Sequence, residues 1–341
     1  MTPLVSILIP AYNSERWIAD TLRSAIAQTW ARKEIIVVDD GSKDRTTEIA
    51  RQFESKGVRV IPQSNQGASA ARNAAFKISQ GDYIQWLDAD DLLAPDKIAR
   101  QMDVAKQLAS QRTLISSEWG RFLYRPDKAK FIPTSLWCDL QPAEWLIRKM
   151  GQNLHMQTAT WLVSRELTEA AGAWDTKMLV DDDGEYFCRV LLKSDGVRFV
   201  PGARVYYRAS GAGSLSYIGE SRPKQDAQWQ SMQLHIGYLR SLEDTPRVHA
   251  NCVTYIQNWL RFFDPERRDL IGKMQAVAHS LEGELEMPQL SKKYSWIGSI
   301  FGTELSWKAQ LVLPRLKWRL LRLYDKLMSQ MMKHSAPSNV S

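Results

Sequence analysis

Acidic residues crowd the ends of short apolar runs near the start of the chain. Residues 35–38 lead into Asp39-Asp40-Gly41-Ser42-Lys43-Asp44, and residues 83–87 lead into Asp88-Ala89-Asp90-Asp91. Residues 5–9 lead into Pro10-Ala11-Tyr12-Asn13, which offers an aromatic ring. Paired carboxylates withdrawn from water are costly unless a cation or hydrogen-bond donors meet them. A divalent cation shared with phosphate answers that need, because magnesium favours one or two carboxylates plus phosphate oxygens. Each acid also has a plainer use: Asp44 as a helix N-cap, Asp39-Asp40 as a turn before Gly41, and Asp88–Asp91 as a cap. Three acids in four positions exceed what capping needs, and the two clusters recur at successive strand ends.

The elements that must position these residues are legible from periodicity. Residues 5–9, 35–38, 58–61 and 83–87 are apolar runs typical of strands buried on both faces. Helical patterns fill residues 15–28, 44–56 and 68–79, with Asn13 or Ser14 as the first cap and another helix from Pro95 to about residue 108. Such alternation implies right-handed crossovers, a mostly parallel sheet and a site beyond the carboxyl ends of its strands. Further on, residues 114–117 and 159–163 read as strands, and 142–150 and 185–192 as helices. After residue 216 strand signals stop and helical patterns take over. The expected division is 1–217 for the sheet domain, 218–307 for a helical extension and 308–341 for a basic amphipathic helix with a frayed end.

Four segments stand in order: Val5-Ser-Ile-Leu-Ile-Pro-Ala-Tyr-Asn13, Ile36-Val-Val-Asp-Asp-Gly-Ser-Lys-Asp44, Asn65-Gln-Gly-Ala-Ser-Ala-Ala-Arg-Asn73 and Gly81-Asp-Tyr-Ile-Gln-Trp-Leu-Asp-Ala-Asp-Asp91. Together they resemble the inverting family 2 of GT-A glycosyltransferases. The resemblance implies an α/β, Rossmann-like, mostly parallel sheet flanked by helices, here with a C-terminal helical extension. It implies that Pro10, Tyr12, Asn13, Asp39, Asp40, Gly67, Arg72 and Asp88 line a nucleotide-sugar site. Tyr12 would stack near the base and an acid of the Asp39-Asp40 pair would accept from it, which suits uracil. Asp90 would ligate Mg²⁺ or Mn²⁺ at the diphosphate. Arg72 has a second reading, as a tie between loops.

The stretch from Ala171 to Arg189 resembles the family's segment that carries the catalytic base. Alignment on Arg189 places Asp183 on the catalytic aspartate, Asp182 on the preceding acid and Glu185 on the later one, with a one-residue slip among Asp181, Asp182 and Asp183 left open. Carboxylates here also suit the start of a helix. Where relatives often carry a histidine, Tyr207-Arg208-Ala-Ser-Gly-Ala-Gly-Ser-Leu-Ser216 has none, so Arg208, Ser214 or Ser216 would have to serve. Its glycines suggest a lid. Trp137, Trp145, Trp161 and Trp174 stand where a sugar acceptor would approach, although core packing is their commoner use.

Composition narrows the field. Charged residues are 24% and apolar residues 44% of 341, which excludes wholesale disorder. Three scattered cysteines and five histidines show no zinc or disulfide spacing, and no nucleophile elbow, phosphate-binding Gly-Lys-Ser/Thr loop or dinucleotide turn is present. Of the net charge of +7, most sits between Lys308 and Lys333, where seven bases face one acid, Asp325. That concentration argues against a nucleic-acid surface. On a helical projection Leu313, Leu316, Leu320, Leu323, Leu327 and Met331 share one sector, and Arg315, Arg319, Arg322, Lys326 and Lys333 another, with Pro314 near the start. This reads as an interfacial membrane helix or as one docked on its own domain.

The expectation is a cytoplasmic, metal-dependent inverting glycosyltransferase, on the inner face of the plasma membrane if the tail binds lipid. It would move a sugar from a nucleotide donor, UDP-linked in the first instance, to a glycan or lipid-linked saccharide. The alternative is a catalytically inactive nucleotide-sugar-binding or scaffolding protein of the same fold.

Overall fold

The computed structural model describes residues 2–209, 218, 221–263, 266–287 and 318–331. In chain order the strands are β1 (Val5–Ala11), β2 (Lys33–Asp39), β3 (Val58–Pro62), β4 (Tyr83–Trp86), β5 (Leu92–Leu93), β6 (Thr113–Phe122), β7 (Lys130–Phe131), β8 (Val163–Ser164) and β9 (Gly196–Arg208). The helices are α1 (Ile18–Ile26), α2 (Thr46–Arg51), α3 (Ala68–Ile78), α4 (Lys97–Ala105), α5 (Pro142–Gly151), α6 (Arg165–Ala171), α7 (Asp182–Lys193), α8 (Arg222–Leu242), α9 (Pro246–Leu260) and α10 (Arg268–Ser280).

The first sheet runs β3-β2-β1-β4-β8, with the first four strands parallel and β8 antiparallel at the edge. A smaller sheet runs β5-β9-β6-β7. The parallel strands are buried on both sides, which is why their sequences lack alternation. Leu8, Ile36, Val38, Ile84 and Trp86 face one core with Ala71 and Ala75 of α3 and Tyr186 and Phe187 of α7. Ile7, Ile9, Ile35 and Val37 face another with Ile18 and Leu22 of α1 and Ile98 and Met102 of α4. Strand order reverses at β1, which has β2 on one side and β4 on the other, so the crevice beyond their carboxyl ends is the topological switch point.

Several local expectations shift for identifiable reasons. The first helix begins at Ile18, with no side-chain cap; Asn13 instead sits at φ +47 and ties β1 to the next loop. Arg45 occupies the N-cap position of α2, while Asp44 accepts from the Thr46 amide at 3.0 Å one residue earlier. The stretch expected as a strand at 159–163 is a 3-10 turn, Thr158–Thr160, followed by the short β8. Side chains replace the ladder there: Gln157 accepts from the Ala159 amide at 2.5 Å, and Gln101 donates to the Thr160 carbonyl at 2.9 Å.

Two compact units result, one of residues 1–121 with 131–285 and one of residues 122–130 with 286–341. Helices α8, α9 and α10 therefore belong to the unit that holds the first sheet, and the change of pattern at 218 is a change of secondary structure within it. Trp145, Trp161 and Trp174 are core residues of that unit. Trp174 stacks on Tyr186 at 4.0 Å between centroids, and Trp161 on Phe187 at 5.3 Å. Trp137 is half-buried against Phe199.

In the second unit, residues 318–331 are helical. Asp325 is buried, accepting from the Tyr124 amide at 2.9 Å and from Arg125 Nε at 2.6 Å. Arg322 donates to the Tyr124 hydroxyl at 3.2 Å. One face of the helix is thereby docked, while Leu320, Leu323, Tyr324 and Leu327 on the opposite face are 57–61% exposed. Leu313, Pro314, Arg315, Leu316 and Lys333 lie outside the described residues. No described helix is long and apolar enough to cross a membrane.

Removing a fully buried ring leaves a cavity, so Trp161→Ala is expected to cost about 3–5 kcal/mol in urea unfolding. Trp137→Ala, at a half-buried position, is expected to cost less than half as much in the same titration.

Candidate functional site

The carboxyl edge of the first sheet is organised by hydrogen bonds between loops. Pro10 is buried in β1 opposite Val38. Tyr12 follows it and is 45% exposed, an aromatic face presented at the strand end. Asn13 Oδ1 accepts from the Lys43 amide at 2.8 Å, and its own amide donates to Ser42 Oγ at 2.9 Å. Asp39 and Asp40 are both buried. Asp39 accepts from the Ser42 amide and hydroxyl and from Thr47 Oγ1 at 2.7 Å. Asp40 accepts from Gln63 Nε2 at 2.7 Å and from the amides of Gln66 and Gly67 at 2.9 and 2.8 Å. The pair thus does more than make a turn: it anchors the 63–67 loop. Gly67 is required there because its backbone is at φ +93, ψ 163 as it enters α3.

Arg72 of α3 joins the two acidic halves. Its Nη2 donates to Asp88 at 2.8 Å and its Nη1 to Asp182 at 2.6 Å, with the guanidinium 4.3 Å above the Trp174 ring. Ser69, one turn earlier, reaches Asp182 at 3.3 Å. Asn73 fastens the Trp174 backbone with two bonds of 2.9 Å. Both readings of Arg72 meet in one geometry, since the tie between loops stands at the acid cluster itself. Burial opposes the charge on Arg72, but Asp182 and Asp88 raise its pKa. Partial withdrawal from water pushes Asp88 up, against the pull of Arg72.

Asp91 is fully buried and structural, bonded by Gln157 Nε2 and by the Arg208 amide at 2.7 Å. Arg208 Nε donates to the Asp90 carbonyl at 2.7 Å, and its guanidinium lies 4.3 Å from the Trp17 ring. The root of the expected lid is therefore fixed to the acidic turn. Residues 210–217, including Ser214 and Ser216, lie outside the described residues. Asp90 is half-buried. Among the described residues no group of three metal-ligating side chains occurs. Hard carboxylate oxygens at Asp90 and Asp88 still fit Mg²⁺ or Mn²⁺, because such ions take one or two protein carboxylates and complete their shell with water and phosphate oxygens.

On the far side, α7 opens with the acidic run. Asp183 accepts from Thr158 Oγ1 at 3.3 Å and from the Gly184 amide at 2.9 Å. Its withdrawal from water raises its pKa; Asp182 and Asp181 push the same way, and His155 and Arg72 oppose them. Glu185 departs from expectation. It is buried, paired with Arg189 at 2.6 Å and bonded by the Tyr238 hydroxyl at 2.8 Å, so it braces α7 against α8. Asp181 bonds Ser231. A hollow of about 20 Å³, room for a water molecule, lies beside Asp183 and is lined by Asp181, Lys149, His155, Trp145 and Trp161. His155 stacks edge-on against Trp119 at 5.7 Å. Sequence reasoning missed His155 and Lys149, since neither has a spacing that points to Asp183.

Comparison with known proteins follows this geometry. Residues 6–168 match the family model described as Glycosyl transferase family 2. An uncharacterized glycosyltransferase, EpsJ of Bacillus subtilis (strain 168), is 31% identical over 185 residues, covering 54% of this chain and 53% of that protein. The chain spans only 19–53% of the length of the first curated relatives it matches. The crystal structure of S. aureus TarS 1-349 in complex with UDP is similar with a TM-score of 0.61 and 17% identity, covering 82% of this chain and 80% of that one. The mannosyltransferase PcManGT from Pyrobaculum calidifontis, in complex with GDP-Man and Mn²⁺, gives 0.54 and 17%, covering 99% and 89%. The fold is of the GT-A type.

Removing one partner of a buried ionic cluster leaves uncompensated charge. Arg72→Ala is expected to lose roughly 3–5 kcal/mol at pH 7 in urea unfolding. The loss should shrink as pH is lowered into the range where Asp88, its pKa raised by burial, takes up a proton and no longer needs the cation. Arg72→Lys should recover only part of it, because one ammonium does not reproduce the fork.

Proposed function

We propose that the chain, whose residues 6–168 match the model of glycosyl transferase family 2, is a metal-dependent inverting glycosyltransferase that takes its sugar from a nucleotide donor. The observation that carries this reading is the Arg72 bridge, which gathers Asp88 from the strand-end turn and Asp182 from the start of α7 around one guanidinium.

In this reading Tyr12 stacks on the nucleobase. Asp39 and Asp40 already accept three protein donors each, so whichever reads the base does so with its remaining acceptor capacity. Uracil, with an N3–H donor, suits that, and UDP-sugar is the favoured donor class. The similar structures were solved with UDP in one case and GDP-Man in the other, so both nucleotides are to be compared. Asp90, with Asp88 beside it, would hold Mg²⁺ or Mn²⁺; when bound, the ion supplies Lewis-acid stabilisation of the departing diphosphate. Arg208 fixes the turn that presents Asp90. Asp183 removes the proton from the acceptor hydroxyl as that oxygen attacks the anomeric carbon from the face opposite the leaving group. Burial keeps Asp183's affinity for a proton high, and Asp182, held by Arg72 and Ser69, adds to it.

The acceptor is proposed to be a glycan or a lipid-linked saccharide, because the helix at 318–331 suits an anionic bilayer surface. Its exposed face carries Leu320, Leu323, Tyr324 and Leu327, flanked by exposed Arg319 and Lys326. An apolar stripe beside cations is the composition of an interfacial helix. The protein would then work on the cytoplasmic face of the plasma membrane.

Screening UDP-, GDP- and dTDP-sugars for nucleotide release should find turnover that requires Mn²⁺ or Mg²⁺ and is lost in Asp90→Ala. Asp183→Asn should lower kcat by about 10²-fold or more while nucleotide binding by calorimetry persists. Because the base acts as a carboxylate and its pKa is raised, wild-type kcat should climb with pH through a value above the ordinary 3.8, and the variant should lack that limb. Heat of UDP binding without product from any donor would instead identify an inactive binder.

Flotation with anionic vesicles should retain the full chain, and Leu320→Asp with Leu327→Asp should release it. Equal retention of both would remove the membrane reading.

A further inference from the structure

The acidic start of α7 is fastened from behind by the helical extension. Asp181, the residue before α7, adopts φ +56 and ψ 31 and makes no side-chain cap bond to the helix it precedes. Its carboxylate lies over Gly184, where a Cβ would collide with both carboxylate oxygens. Ser231 of α8, fully buried, donates its hydroxyl to Asp181 Oδ2 at 2.5 Å. One turn along the same face of α8, the fully buried His235 places Nε2 3.7 Å from that oxygen. Its Nδ1 is 2.9 Å from the Tyr255 hydroxyl of α9. Burial holds this imidazole neutral. A non-glycine residue persists in the left-handed region only where its surroundings over-determine it. Here the surroundings are Ser231 on one side and Gly184 on the other.

We propose that Ser231 is a positioning residue: through Asp181, α8 fixes the backbone turn that presents Asp182 to Arg72 and Asp183 to the hollow beside it. The extension would thus be a working part of the site, with Gly184 and Ser231 as the two halves of a latch. The turn is compact, since Asp181 to Asp183 are consecutive, so any release of Asp181 is felt at the next two carboxylates. The inference rests on the transfer reading for its catalytic consequence, and on geometry alone for the latch.

Two measurements on the full chain test it together. Hydrogen–deuterium exchange should show faster exchange in peptides spanning residues 180–187 of Ser231→Ala, with α9 and the first sheet unchanged. Nucleotide release should show kcat lowered about tenfold with donor KM held within about twofold, as expected when only the placement of a base is disturbed. Asp181→Asn, which keeps an acceptor for Ser231, should restore both readouts towards wild type, whereas Asp181→Ala should behave as Ser231→Ala. Unchanged exchange at 180–187, unchanged kcat, or equal loss in Asp181→Asn and Asp181→Ala would each overturn the proposal. Faster exchange throughout the unit would overturn it too, by making Ser231 a general packing residue. If the wild type releases nucleotide from no donor, the transfer reading fails, while the exchange comparison still decides the latch.

Discussion

The Arg72 guanidinium lies between two carboxylates that arrive from different halves of the chain, Asp88 after β4 and Asp182 at the start of α7. Neither acid could be held at its place without a cation, because each is partly withdrawn from water and more acids stand close by. Arginine suits the position for reasons of shape as well as charge. Its two terminal nitrogens serve one carboxylate each, and its flat face rests on Trp174, itself stacked on Tyr186 in the core. Thus the hydrophobic packing of α7 under the sheet and the electrostatics of the crevice are one problem with one solution.

The rest of the crevice follows the same logic of acids met by fixed donors. Asp40 anchors the loop that delivers Gly67 and so starts α3, the helix that carries Ser69 and Arg72. Asp91 receives the Arg208 amide, which joins the end of β9 to the acidic turn. Buried carboxylates here spend most of their acceptors on backbone amides and side chains. Asp88, Asp90, Asp182 and Asp183 are half-buried, and in the proposed reading Asp90 and Asp183 stand on the two sides of the site that need opposite chemistry. One side suits a cation with a diphosphate. The other suits proton removal.

Much of this was legible in the sequence, and the parts that were not have a common cause. Apolar runs with no alternation gave the parallel strands, because burial on both faces leaves a compositional trace in consecutive residues. The acids after β2 and β4 were visible for the same reason: strand ends are local events. The spacing of Glu185 from Arg189 fits both a family acid and an i,i+4 ion pair, and the ion pair is made, with the Tyr238 hydroxyl from α8 beside it. Asp44, which also accepts from the Glu15 amide, and Asn13 show that a polar residue near a helix start serves the neighbouring loop as readily as the cap. His155, Lys149 and Ser231 left no local signal at all, since their meaning comes from elements packed together over long sequence separations. The family match ends at residue 168, before α7, so the role proposed for Asp183 rests on the motif resemblance around Arg189 and on its place beside the acid cluster.

The account's central claim is that Asp90 and Asp183 flank one nucleotide diphosphate from opposite sides. A crystal structure of the full chain with UDP and Mn²⁺ tests it most directly through the anomalous signal of manganese. The account predicts a metal peak joining the Asp90 carboxylate to the diphosphate, uracil against Tyr12, and Asp183 across the open space next to the terminal phosphate. Manganese away from Asp90, or a nucleotide bound where Asp183 cannot face it, would contradict the account.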